Sequence, residues 1–246
     1  MNAAYHSGAR RGFDRRGRSG AAELMDSQSA SYEDYRACLQ DLSAVNGLTL
    51  GRRPVLRFLS RVLPLPEGLR AHVLDVGFGH GDTLRAVRER ARARGWAVDL
   101  SGVDLNPWAA RAAAEATPWD VDISYHVGDV FAFQPERPVD FVVSSLFTHH
   151  LDDDSLVRFI GYMEATARRG WFVNDLHRHA LSYHGFRLLA SVMRWHRFVR
   201  HDGPVSIARS FRPRDWERLL AQAGVPSGAA RIFRQAPFRL CVERVR

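Results

Sequence analysis

Apolar residues along most of the chain recur at one of two spacings, three-to-four or short continuous runs, and these separate helices from buried strands. From Ser31 to about Leu63 the spacing is helical, with Tyr32, Tyr35, Leu39 and Leu42 on one side. Asn46-Gly47 breaks that run, and Pro54 opens a second helix carrying Val55, Leu56, Phe58, Leu59 and Val62. Pro64, Pro66 and Gly68 then mark a loop. From Ala71 the pattern becomes short apolar runs alternating with helices. Strands are predicted at 72–76, about 97–105, 123–127, 141–146 and 171–175. Helices are predicted at 82–94, from Pro107 and over about 153–167. Asp82 and Asn106 sit where side-chain caps belong, and Gly95 sits where a helix stops. Such alternation predicts βαβ units and a parallel sheet covered on both faces. Residues 178–200 read as one long helix with Leu181, Leu188, Leu189, Val192, Trp195 and Val199 along one side, and its aromatic residues Tyr183, Phe186, Trp195 and Phe198 read mostly as core packing. A last helix ends at Gly224, and residues 232–235 and 238–242 form an antiparallel hairpin.

The expected fold is thus α/β, a doubly wound, mostly parallel sheet closed by an antiparallel C-terminal hairpin. Residues 1–25 read as a disordered basic arm, 26–66 as a helical N-terminal extension or lid, and 67–246 as the main domain. The chain has 246 residues, 46% of them apolar, which is enough for a sizeable core. No apolar run is long enough for a transmembrane helix, and no h-region follows the N-terminal arginines. Two cysteines, Cys38 and Cys241, exclude a disulfide scaffold or a cysteine-built zinc site and fit a reducing cytoplasm. The net charge of +8 contains no lysine, and half of it lies in the first twenty residues, so a nucleic-acid partner is not expected.

The run Asp75-Val76-Gly77-Phe78-Gly79-His80-Gly81-Asp82 lies between a predicted strand and a predicted helix. Glycines there let the backbone turn tightly and lie against a ligand, and the helix N-terminus behind them offers free N–H groups. A dinucleotide-binding loop would space its third glycine one position later. The acid at the strand end, Asp75, would repel a pyrophosphate; it suits a ligand presenting an ammonium group.

This Asp-x-Gly-x-Gly-x-Gly run resembles the first motif of class I S-adenosylmethionine-dependent methyltransferases, and the resemblance extends over about residues 70–245. It implies a Rossmann-like, seven-stranded methyltransferase fold with S-adenosylmethionine as cofactor, held by Asp75, Gly77, Phe78, Gly79 and Gly81. It further implies that Asp104, beside Leu105 at the end of the second strand, holds the ribose hydroxyls. Asp129 after the third strand would approach the adenine amine, with Val130 or Phe131 packing its ring, and the fourth-strand segment would bring Ser145 to the site. Glu23-Leu24-Met25-Asp26, Leu42-x-x-Val45-Asn46, the run at 149–154 and Asn174-Asp175-Leu176-His177-Arg178 look like small-molecule methyltransferases of the ubiquinone/menaquinone-biosynthesis type. Similar bacterial proteins act beside polyketide synthases on phenolic or quinonoid products, which implies a small aromatic acceptor and a place in secondary metabolism.

If the acceptor is a phenol, a general base near neutral pH helps, and histidine suits that task. His149 and His150 follow the fourth strand directly, and His201 stands beside Asp202; these three are the candidate bases. The competing reading gives the His149–His150 pair to shaping the turn. Histidine spacings such as His177-x-His179 could hold a metal, but nothing else asks for one, and none is expected. O-methylation is the first expectation, C- or N-methylation the second, and a cofactor-binding but idle partner subunit the third. Nucleic-acid methylation is disfavoured because Ser144-Ser145-Leu146-Phe147 stands where such enzymes carry Asn/Asp-Pro-Pro-Tyr. The oligomeric state is open, a dimer among the options.

Overall fold

The computed structural model describes residues 13–14, 16–24, 31–66, 68–193, 195 and 197–246. Its centre is a seven-stranded sheet in the order β3-β2-β1-β4-β5-β7-β6. The strands are β1 Ala71–Val76, β2 Val98–Asp104, β3 Ser124–Val127, β4 Val139–Ser145, β5 Ala167–Leu176, β6 Arg231–Gln235 and β7 Arg239–Val245. Neighbours from β3 to β5 pair in parallel, and β7 runs antiparallel to both β5 and β6. The methyltransferase-type sheet expected from the sequence is present, with strand ends moved by up to four residues.

Alternation along the central strands builds a core on each face. Val73, Phe141, Val143 and Phe172 face one side, where Phe58 of α2 (Arg53–Val62) stacks on Phe172 at 4.8 Å between ring centres. Leu74, Val76, Val142, Trp171 and Val173 face the other, against α5 (Asp153–Thr166) and α8 (Pro213–Gln222). Several helices begin where short polar side chains satisfy free N–H groups. The helix starting at Asp82 does not, because Gly81, not Asp82, stands at its N-cap and offers no side chain. Ser31 caps α1 (Tyr32–Leu48), accepting from Asp34 N–H, and Asn106 caps α4 (Pro107–Glu115), accepting from Trp108 N–H. α3 (Asp82–Arg94) ends at Gly95 in the left-handed region.

Two expectations change. The helix expected over 178–200 is two, α6 (Ala180–Val192) and α7 (Arg197–Arg209). They pack closely enough that a Cβ on Gly203 would lie 2.0 Å from the Phe186 ring. Leu181, Leu188 and Val192 point outward, at 63%, 69% and 69% exposure, while Phe186 and Trp195 pack together at 5.8 Å between ring centres. The loose arm expected over 1–25 falls largely outside the described residues, but residues 16–24 are docked. Ser19 N–H donates to Ala208 O at 3.0 Å, and Arg18 lies over the Phe211 ring at 3.6 Å. Arginines here make specific hydrogen bonds, which outweighs the tendency of a Gly/Arg/Ser-rich segment to stay loose. Among the described residues no helix is long and apolar enough to cross a membrane.

Candidate active site

The glycine loop closes β1 with three positive-φ turns, at Gly77 (70°), Gly79 (53°) and Gly81 (72°). The three glycines do different work. A Cβ on Gly77 would lie 2.7 Å from the Phe147 ring and one on Gly81 2.5 Å from Tyr125 Oη, whereas one on Gly79 would meet only Leu39 at 3.8 Å. Gly79 is therefore the position left open for a ligand to approach the backbone. Gly81 does not line the cavity described below; it caps α3 and makes room for Tyr125.

Two carboxylates flank this loop. Asp104, at the end of β2, accepts Gly79 N–H at 3.0 Å and Asn106 N–H at 2.9 Å, which fixes its orientation and leaves further lone pairs for a ligand. Asp75 is buried and its Oδ1 has no partner. Burial, then the nearby Asp82 and Asp104 carboxylates, pushes its pKa well above the ordinary value. A lone buried carboxylate is costly unless a cation joins it. Past β3, Asp129 accepts Phe131 N–H at 3.0 Å in a tight turn.

Beyond the loop a cavity of about 960 Å³ opens over the carboxyl ends of the parallel strands, where open α/β sheets bind ligands. Asp75, Gly77, Phe78, Gly79, Asp104, Leu105, Asp129, Val130 and Ser145 line one part of it. Phe78 is mostly buried beneath the loop, packed on Tyr125 at 4.9 Å, and Val130 belongs largely to the core. Leu39, Leu42, Val45, Phe186, Leu189 and Val199 give the remainder an apolar wall.

A polar cluster interrupts that wall. His149 and His150 sit on a 3-10 turn, Thr148–His150, directly after β4, with ring centres 4.3 Å apart. His149 is buried and its Nδ1 lies 2.8 Å from Asp175 Oδ1 on β5. On its other side Nε2 is 3.6 Å from Glu23 Oε1, and Glu23 Oε2 is 3.9 Å from His150 Nε2. His150 is the accessible member, with 30% of its side chain exposed. Asp175 also accepts from Thr148 Oγ1, His149 N–H and Leu176 N–H. Burial raises its pKa, but His149 and these hydrogen bonds outweigh burial and hold it well below the ordinary value. Glu23, His149 and His150 present ligand atoms within 4.8 Å of one another. The Ser206 hydroxyl and the Arg209 guanidinium already face Glu23 Oε1, at 2.9 and 4.0 Å, so the trio reads as a charge cluster, not an ion site.

The third candidate base, His201, is not part of this cluster. Its Nδ1 lies 2.8 Å from Asp202 Oδ1, yet its ring is about half exposed and does not line the cavity. Asp202 does, and it accepts Leu24 N–H at 2.7 Å. Arg209 donates to the carbonyls of His149 and His150.

Glu23, Asp175, Asp202 and Arg239 are cavity or cluster members that motif spacing does not single out. The motif-like runs Glu23–Asp26 and 174–178 contain two of them; Met25 and Asp26 lie outside the described residues. Arg239, on β7, is buried and donates to Asn46 Oδ1 at 3.1 Å. Beside it, Asn174 Nδ2 donates to Gly51 O at 2.8 Å.

A family model described as a methyltransferase domain matches residues 73–170, from β1 into β5. Over that stretch the chain carries a methyltransferase domain, and it is a methyltransferase. The cofactor expected from the sequence is S-adenosylmethionine. The cradle fits that group on two observations: the open approach at Gly79 and the unpartnered buried Asp75 oxygen. No curated protein matches significantly. Among solved structures, the plantazolicin methyltransferase BpumL in complex with SAH aligns with a TM-score of 0.63 at 15% identity, covering 87% of this chain and 95% of that one. Human N-acetylserotonin methyltransferase in complex with SAM gives 0.61 at 16%, covering 88% and 56%. Magnesium protoporphyrin IX methyltransferase from Synechocystis PCC 6803 gives 0.55 at 14%, covering 81% and 83%. At such identities the likeness is one of fold. The family match ends before Asp175, and Glu23 precedes it, so the charge cluster joins the domain to segments outside it.

Proposed function

We propose that this methyltransferase transfers its methyl group to oxygen on a small aromatic acceptor, a phenol or hydroquinone of the polyketide-derived kind. When bound, S-adenosylmethionine supplies an electrophilic sulfonium methyl, and the acceptor oxygen takes it as the carbon–sulfur bond breaks with its electrons left on sulfur. Asp104 would hold the ribose hydroxyls by charge-assisted hydrogen bonds, and Asp75 would answer the ammonium charge. Asp129 would reach the adenine amine, and Leu105, Val130 and Ser145 would wall the nucleoside. The apolar wall from Leu42 to Phe186 would exclude water around the acceptor ring.

The observation that carries the reading is the charge cluster facing an apolar chamber. A phenol has a pKa near 10, so loss of its proton needs a base at neutral pH. His150 is the accessible imidazole, and the proton leaving the acceptor oxygen goes to it. His149, locked onto Asp175, shapes the cluster from behind. The cavity volume stands at the upper end of the range for ligand sites, which leaves space for donor and acceptor together. The test is methyl transfer from isotope-labelled S-adenosylmethionine to a panel of phenols, hydroquinones and aryl amines, with wild type and His150→Ala. Labelled aryl ethers that fall at least tenfold in the variant are expected. Turnover confined to amines, or unaffected by the substitution, would refute the oxygen-and-base reading.

A further inference from the structure

The charge cluster is completed from a distance. Glu23 lies on the segment 16–24, which crosses the outside of α7 and the 3-10 turn. Arg18 fixes that strap through Nε to Arg209 O at 2.6 Å, Nη2 to Leu151 O at 2.7 Å and Nη1 to Asp153 at 3.1 Å. Ser19 N–H on Ala208 O and Leu24 N–H on the Asp202 carboxylate tie down the rest. Between these anchors Glu23 is turned inward, 4% exposed, with Ser206 Oγ donating to Oε1. A glutamate is rarely buried without partners, and its partners here are Ser206, Arg209 and the two histidines.

We infer that Glu23 is a positioning residue whose charge stabilises the His150 imidazolium formed when the acceptor loses its proton, and that the strap completes the active site by delivering it. This rests on His150 being the base. The groups that face His150 are Glu23 on the strap, His149 on the same turn with Asp175 behind it, Asp202 across the cavity, and Arg209 and Arg18. Both arginines donate to main-chain oxygens of the turn. Among the described residues Glu23 is the carboxylate nearest the ring, at 3.9 Å from Nε2, beyond hydrogen-bond length but well inside the range of a strong charge interaction. A proton taken by His150 thus creates a positive charge against a fixed negative one that is buried from water.

The experiment reads the imidazole directly and needs neither acceptor nor cofactor. The His150 Cε1–H resonance, assigned by its loss in His150→Gln, is titrated by NMR in wild type, Glu23→Gln and Glu23→Asp. Removing the charge disfavours the imidazolium, so the midpoint should fall by about one pH unit in Glu23→Gln and recover in part in Glu23→Asp. Calorimetric SAH affinity should stay within about twofold in both. A merely structural Glu23 would weaken SAH binding or the fold and leave the midpoint in place. An unmoved midpoint in folded Glu23→Gln overturns the inference. Should that variant not fold, Ser19→Pro, which removes the Ser19 N–H bond to Ala208 O and frees the strap without changing any charge, must lower the same midpoint, and an unmoved value there overturns it equally. The titration stands apart from the acceptor panel, so either result can fail without the other.

Discussion

Asp175→Asn is the most informative single-atom change in this site. Asp175 is 2% exposed, and its two oxygens accept four donors. Oδ1 takes His149 Nδ1 at 2.8 Å and Leu176 N–H at 2.7 Å; Oδ2 takes Thr148 Oγ1 at 2.5 Å and His149 N–H at 2.9 Å. Asparagine replaces one oxygen by an NH₂ group, which sets a donor against a main-chain N–H whichever way the amide turns, Leu176 N–H on one side or His149 N–H on the other. The Thr148 hydroxyl or the His149 ring nitrogen on that side can turn acceptor. One buried N–H loses its partner, so the expected loss is about 1–3 kcal/mol. That is a large share of the stability of an ordinary domain. The pH dependence has a definite sign. The folded carboxyl is held below the unfolded value of about 3.9, so its contribution is present above that pH and is lost as pH falls toward the folded value. Urea denaturation followed by far-UV circular dichroism should show the variant weaker by that amount at pH 7, with the difference narrowing below about pH 4. A difference under about 1 kcal/mol at pH 7, or one that stays constant into acid, would refute the four-donor account.

Three further outcomes are expected. Asp104→Ala should weaken SAH binding by about 10²–10³-fold, as two charge-assisted hydrogen bonds at about 1.5–3 kcal/mol each would give after partial replacement by water; calorimetry checks it, and near-wild-type affinity counts against the ribose role. Gly79→Ala meets no neighbour closer than 3.8 Å, so its stability cost should be only the backbone term of about 1–2 kcal/mol, whereas Gly77→Ala adds the clash with Phe147 and should lose clearly more in thermal denaturation. Cys241 is fully buried, and burial, with Glu243 and Asp175 nearby and against the pull of Arg239, pushes its thiol up to about 12. It should resist iodoacetamide at pH 8 in the native state and react only on unfolding; rapid native labelling would contradict the packing around β7.

The sheet was readable because buried parallel strands leave continuous apolar runs, and β1, β2, β4 and β5 each carry one. The cofactor cradle was readable for a similar reason: glycines and strand-end acids lie within a few residues of the backbone they shape, so Asp75, Gly79 and Asp104 show in linear order. What resisted sequence reading was whatever depends on contacts across the chain. Periodicity does not register the break between α6 and α7, since both helices share the 3.6-residue period, and so it predicts a single helix there. His201 and Asp202 are hydrogen-bonded, as their adjacency hints, yet adjacency carries no information on where the pair points, and of the two only Asp202 lines the cavity. Glu23 lies 126 residues from His149 in a segment whose composition resembles a tail, and only its tertiary contacts bring it inward.

The hydrogen bonds from Arg239 to Asn46, and from Asn174 to Gly51, stitch the last strand and β5 to the turn after the first helix. The loop's own packing, Gly77 on Phe147 and Gly81 on Tyr125, lies within residues 73–170, whereas the chamber beside it is lined by residues as far apart as Glu23 and Arg239. Trimming either end would therefore strip walls from the room without touching the partners that shape the loop.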